Sequence, residues 1–171
     1  MESAIRKRHL LNKFGIDAGG YVSKESFVAG IKQIFNIQEE TYNHLILDIF
    51  TLVDGRGLFN AKDDRLNKKE LDFVIQAIPQ EHSEHICYNL AEVIFNIVNK
   101  NNDGVLDINE FKDYITVILG AIKTSELKEV FKTLSKSTNG IQKDEFMKYC
   151  IEKISGLTLP EESKETKEPT A

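Results

Sequence analysis

The chain has 171 residues, 41% of them hydrophobic and 29% charged, with a net charge of −5. That length holds one ordinary domain or two small lobes around a sizeable core; wholesale disorder and a multidomain enzyme are excluded. The acidity falls in residues 79–171, since residues 1–78 balance, and an acidic chain argues against nucleic acid as the main partner because phosphate binding needs an excess of Lys and Arg.

The N-terminal Met-Glu-Ser-Ala-Ile-Arg-Lys-Arg leads into no apolar stretch, and residue 2 is Glu2, so neither a signal peptide nor N-myristoylation is expected. The Arg6-Lys7-Arg8 cluster reads as a solvated face. A polar segment at 15–26 is followed by a helical stripe of Phe27, Ile31, Ile34 and Phe35. A second apolar run, Ile49-Phe-Thr-Leu-Val53, leads into a polar segment at 54–70. Pro79 then marks Ile78–His82 as a linker between two halves. Ile86, Leu90, Val93, Ile94 and Ile97 keep one face of a helix expected over Ile86–Val98. A polar segment at 99–110 follows, then a helix over Ile108–Ala121 with Phe111, Ile115, Ile118 and Ile122 on one side. Leu127, Val130, Phe131 and Leu134 form the next stripe, before a polar segment at 135–145. From Thr158 the tail is polar and is expected to be disordered. Alternation of strand length is scarce, so the class is all-α. Four helix–loop–helix units recurring at intervals of roughly 40 residues signal an internal repeat.

The third polar segment carries the chemistry. It reads Asn99-Lys-Asn-Asn-Asp-Gly-Val-Leu-Asp-Ile-Asn-Glu110. Oxygen-bearing side chains stand at positions 1 (Asn99), 3 (Asn101), 5 (Asp103), 9 (Asp107) and 12 (Glu110). Gly104 at position 6 allows a sharp reversal, and the carbonyl of Val105 falls at position 7. A hard divalent cation wants six to eight oxygens, and alternate residues of a tight loop can supply them. Leu106 points away and is expected to meet a neighbouring loop. Asn99 in place of an aspartate leaves three carboxylates, which predicts a Kd of roughly 10⁻⁶ to 10⁻⁵ M.

On these residues the chain resembles the EF-hand superfamily, in particular small four-hand proteins such as calmodulin and the sarcoplasmic calcium-binding proteins. The resemblance implies two lobes of paired helix–loop–helix units with short β-bridges between paired loops. The N-terminal pair would span 1–78, the C-terminal pair 83–157, and an acidic tail 158–171. Val22 would meet Leu66, and Leu106 would meet Ile141. Only loop 99–110 matches the calcium pattern closely. Loop 15–26 has Gly15, Gly19 and Ser26 at ligand positions and keeps Asp17 alone. Loop 54–70 retains Asp54 and Glu70 at its ends but holds seventeen residues where twelve belong. Loop 135–145 is one residue short, intruded on by Lys143, and left with Glu145. One bound Ca²⁺ is therefore expected, held by Asn99, Asn101, Asp103, Val105, Asp107 and Glu110.

His82 and His85 could form half a zinc site, but no further Cys or His cluster accompanies them. Cys87 and Cys150 are expected as buried reduced thiols in a cytoplasmic protein. No membrane span and no catalytic arrangement is expected. With only Met1 and Met147, a promiscuous Met-lined groove is not expected either. The expected function is a Ca²⁺-responsive signalling protein that offers an apolar cleft to one or a few target proteins. The alternatives are a calcium buffer, or a light-chain-like structural subunit that holds its target without calcium.

Overall fold

The computed structural model describes residues 2–54, 63–101, 103–136 and 140–157. These form an all-α, EF-hand-like fold of eight α-helices and two short antiparallel bridges. In chain order they are α1 (Glu2–Leu11), β1 (Val22–Ser23), α2 (Lys24–Phe35), α3 (Asn43–Val53), β2 (Arg65–Leu66), α4 (Lys68–Ala77), α5 (Ile86–Val98), β3 (Val105–Leu106), α6 (Ile108–Leu119), α7 (Thr124–Leu134), β4 (Ile141–Gln142) and α8 (Lys143–Tyr149). A π-helical turn, Cys150–Ile154, continues α8. The tail from 158, the insertion at 55–62 and Ser137, Thr138 and Asn139 of the fourth loop lie outside the described residues.

The loops pair as their apolar position-8 residues dictate. Val22 lies opposite Leu66, and Leu106 opposite Ile141. All four are buried to within 1%. Each bridge is only two residues long, so burial of these side chains, rather than the few ladder hydrogen bonds, fixes the register.

Side-chain caps mark the starts of α2, α4 and α6. Ser23 Oγ accepts from Ser26 N at 3.1 Å and starts α2. Asn67 with Glu70, and Asp107 with Glu110, form reciprocal capping boxes at α4 and α6. The helix expected to end at Ala121 stops at Leu119, because Gly120 adopts φ +95°.

The two halves share one core. Helix α3 packs on α5 and α6, and α4 packs on α5. Phe27, between Phe14 and Phe50, anchors the N-terminal side at centroid distances of 5.6 and 5.5 Å. Phe146, against Tyr114 at 4.9 Å and Phe95 at 5.9 Å, anchors the C-terminal side. Tyr114 donates its hydroxyl to Cys150 Sγ at 3.4 Å, which satisfies the one polar atom of that buried ring. Cys87 and Cys150 are both free and buried, as the sequence leads one to expect. Burial raises both thiols, Cys150 to about 12, so neither is a ready nucleophile.

The expected linker is fixed in place. Arg6, read from sequence as part of a solvated face, donates through Nη2 to Ile78 O at 3.1 Å and Pro79 O at 3.0 Å. Asn96 Nδ2 donates to Ala77 O at 2.8 Å. Asn89 accepts from Ser83 N at 2.7 Å and donates to Ser83 O at 2.9 Å. These bonds satisfy the backbone groups that the break around Pro79 leaves without helical partners.

Asp48 on α3 gives the fold a pH dependence. Burial pushes its carboxyl up to about 6, against the opposing pull of His44. A raised carboxyl binds its proton more tightly in the folded chain than in the unfolded one. Stability therefore falls as pH rises from about 4 through about 6, and stays lower above. Asp48→Asn removes that penalty. Thermal melts should show the variant more stable than the parent at about pH 7.5 and level with it at about pH 4.

Candidate metal centre

Helix α5 ends at Val98, and Asn99 is its cap residue, with the N–H donating to Phe95 O at 2.8 Å. The loop then turns through Gly104 at φ +85°, a conformation strained for any side chain, and enters the bridge at Val105. Asp107 closes the loop as the N-cap of α6, with Oδ1 accepting from Glu110 N at 2.8 Å. This path carries Asn99 and Glu110 into the interior of the loop, where they are 6% and 5% exposed.

Asn99 sits at the centre of a ring of oxygens. Its carboxamide has one terminal atom facing inward and one facing out. The inward atom lies 3.1 Å from each of Asn101 Oδ1, Asp103 Oδ1 and the Val105 carbonyl oxygen, while the outward atom lies 3.1 Å from Gly104 N. The orientation that satisfies every neighbour has Nδ2 inward as donor and Oδ1 outward as acceptor. Four of the six residues singled out from sequence are thus brought together around one point.

Glu110 faces the loop backbone. Its Oε2 accepts from Lys100 N at 2.9 Å and Asn101 N at 3.4 Å, and its Oε1 accepts from Asp107 N at 3.0 Å. A carboxylate so placed ties positions 2, 3 and 9 of the loop to the first turn of α6. The Lys100 side chain reaches over this turn to Asp113 Oδ2 at 2.8 Å. Among the described residues no three His, Cys, Asp or Glu side chains gather as a metal-holding group. In this loop the physical reason is visible. Glu110 spends both carboxylate oxygens, and Asp107 its Oδ1, on backbone N–H groups, and the oxygens that do converge include an amide and a backbone carbonyl.

In the other loops the candidate ligands among the described residues serve the protein itself. Asp17 Oδ1 accepts from Gly19 N at 2.9 Å and Tyr21 N at 2.8 Å, and the Arg65 guanidinium lies 3.8 Å from the centre of the Tyr21 ring. Asp54 accepts from Asp63 N at 3.3 Å and Asp64 N at 3.1 Å, and burial raises its carboxyl. Glu70 is consumed by its capping box. In the fourth loop Glu145 pairs with Lys136 at 3.5 Å, and Lys143 pairs with Glu92 of α5.

His82 and His85 go separate ways. His82 packs on Phe35 at 4.7 Å, and His85 packs edge-on to Tyr88 at 5.7 Å. No helix among the described residues is long and apolar enough to cross a membrane.

Sequence reasoning missed the role of Gly140. It adopts φ +126°, and a Cβ there would collide with the carbonyl of Leu106, which Gly140 therefore approaches with bare backbone. The signal was present as a glycine one residue before the apolar bridge residue Ile141.

No family model matches this chain, and no curated protein matches it. Among solved structures it is similar to coelenterazine-binding protein from Renilla muelleri in its calcium-loaded apo form. The identity is 17% and the TM-score 0.39, over 92% of this chain and 91% of that one. A likeness this distant leaves the fold to rest on the helix–loop–helix pairs and bridges described above.

Proposed function

We propose that this chain is a calcium-binding regulatory protein with one working site, loop 99–110. Asn99, Asn101, Asp103, the Val105 carbonyl, Asp107 and Glu110 would hold the ion. The observation that carries this reading is the convergence of Asn101 Oδ1, Asp103 Oδ1 and Val105 O on the buried side chain of Asn99, each at 3.1 Å. Oxygens from separate residues repel one another, and a loop that gathers them needs a cationic or hydrogen-bonding centre. The donor set is oxygen throughout and carries three carboxylates, which suits a hard divalent ion and not zinc. Bound there, Ca²⁺ would supply the positive charge that neutralises those carboxylates.

Regulation would run through Glu110, which belongs at once to the loop and to α6. The far end of α6 carries Leu119, 60% exposed, beside half-buried Val117 and Ile118. Any shift of Glu110 relative to the loop backbone would be passed along α6 to that apolar end, where a target protein would dock. A calcium-independent structural subunit is the second reading. It is favoured by the three other loops, whose candidate ligands are engaged in the protein's own contacts.

An amide NMR titration with calcium tests the proposal. Resonances of loop 99–110 should shift first, with loop 140–145 following through the bridge and loop 15–26 unmoved. A hydrophobic dye that binds only with calcium supports the regulatory role. Shifts led by Asp54, Asp63 and Asp64 would move the site to the other half and contradict it.

A further inference from the structure

We propose that the Asn99 carboxamide is an internal stand-in for the cation and thereby sets the affinity of the site. The inference rests on the calcium reading above for its second half, and on the loop's own hydrogen bonds for its first. The distances place one terminal atom of the Asn99 carboxamide 3.1 Å from each of Asn101 Oδ1, Asp103 Oδ1 and Val105 O, and the other 3.1 Å from Gly104 N; with Nδ2 inward the amide would donate to the first three and accept from the last. Two amide hydrogens serve three acceptors, so one is shared. Asp103 Oδ1 also accepts from Val105 N at 3.2 Å; the amide adds a second donor there and supplies one to Asn101 Oδ1 and Val105 O. Asn99 is only 6% exposed, so its amide serves these acceptors from the inner side of the loop, while Asn101 and Asp103 remain open to water on the outer side.

The same side chain offers an oxygen to a cation only after its carboxamide turns by half a rotation. That turn withdraws both hydrogens from the ring and leaves Gly104 N facing an NH₂ group. Binding therefore competes with a hydrogen-bond set that an aspartate at the same position cannot make, because a carboxylate has no hydrogen to donate. An Asp at position 99 would instead crowd a fourth acceptor, with a full charge, against three oxygens. Asparagine keeps the metal-free loop formed and weakens capture of the ion; aspartate would do the reverse.

Asn99→Asp should then move two properties in opposite directions. In chelator its melting temperature falls by several degrees below the parent's, while its calcium affinity rises by about tenfold or more. Asn99→Ala removes donor and ligand together and should lower both. In the parent, the Asn99 side-chain NH₂ protons should exchange slowly in chelator. On saturation with calcium they should exchange faster and shift, because the turned amide points out of the ring. If Asn99→Asp melts with the parent in chelator, or if the Asn99 NH₂ protons exchange there at the rate of a free amide, the stand-in role is overturned. A parent chain that binds no calcium sinks the functional reading but not the first half of this one, which the chelator melts and exchange rates decide on their own.

Discussion

Glu110→Gln is expected to weaken calcium binding by about 100-fold, roughly 3 kcal/mol, the size of one lost charge-assisted ligand. The substitution keeps the shape of the side chain and an acceptor oxygen for Asp107 N, which Glu110 Oε1 meets at 3.0 Å. It removes a negative charge from a buried position and leaves an NH₂ group facing either the loop N–H groups or the ion. The cost to folding should be small by comparison, about 1 kcal/mol, because the capping box survives in part. Calorimetric titration and a thermal melt in chelator separate the two effects. A large loss of stability with unchanged calcium affinity would make Glu110 a helix cap and nothing more.

The second large effect is expected at a residue that would bind nothing. Gly140→Ala places a Cβ against the Leu106 carbonyl and demands φ +126° of an L side chain. The combined strain and overlap should destabilise the fold by about 2–4 kcal/mol, a drop in melting temperature of roughly 5–15 °C for a chain this size. The effect should also reach the metal loop. The added methyl lies beside Leu106 O and Asp107 N, so relief of the clash displaces the residue that caps α6. Calcium affinity is therefore expected to fall with stability. A variant that melts lower yet binds calcium as tightly as the parent would show that the two loops of this pair act independently.

Much of the fold could be read from particular residues. The stripe from Ile86 to Ile97 gave α5 its bounds of Ile86–Val98, because an apolar face is cut off cleanly by Asn99. The pairing of Val22 with Leu66 and of Leu106 with Ile141 is what the EF-hand resemblance implied, and it is held by burial of one apolar residue from each loop. What the sequence concealed was tertiary. The packing of α3 on α5 and α6 comes from faces too uniformly apolar to name their partners. Arg6 reaches backbone carbonyls more than seventy residues away, and no local pattern marks such a bond. Within loop 99–110 the ligand positions were legible from spacing, and so was the turn at Gly104. The orientation of the Asn99 amide was not. It depends on three oxygens converging in space, and the sequence shows only that they share a loop.

The central claim is that one loop of four holds one calcium ion, and calorimetric titration of the intact chain tests it most directly. The account predicts a single site per chain with a Kd of roughly 10⁻⁶ to 10⁻⁵ M, weakened about 100-fold in Glu110→Gln and retained in Asp54→Asn. No heat up to millimolar calcium, or two sites of similar affinity with one removed by Asp54→Asn, would contradict it.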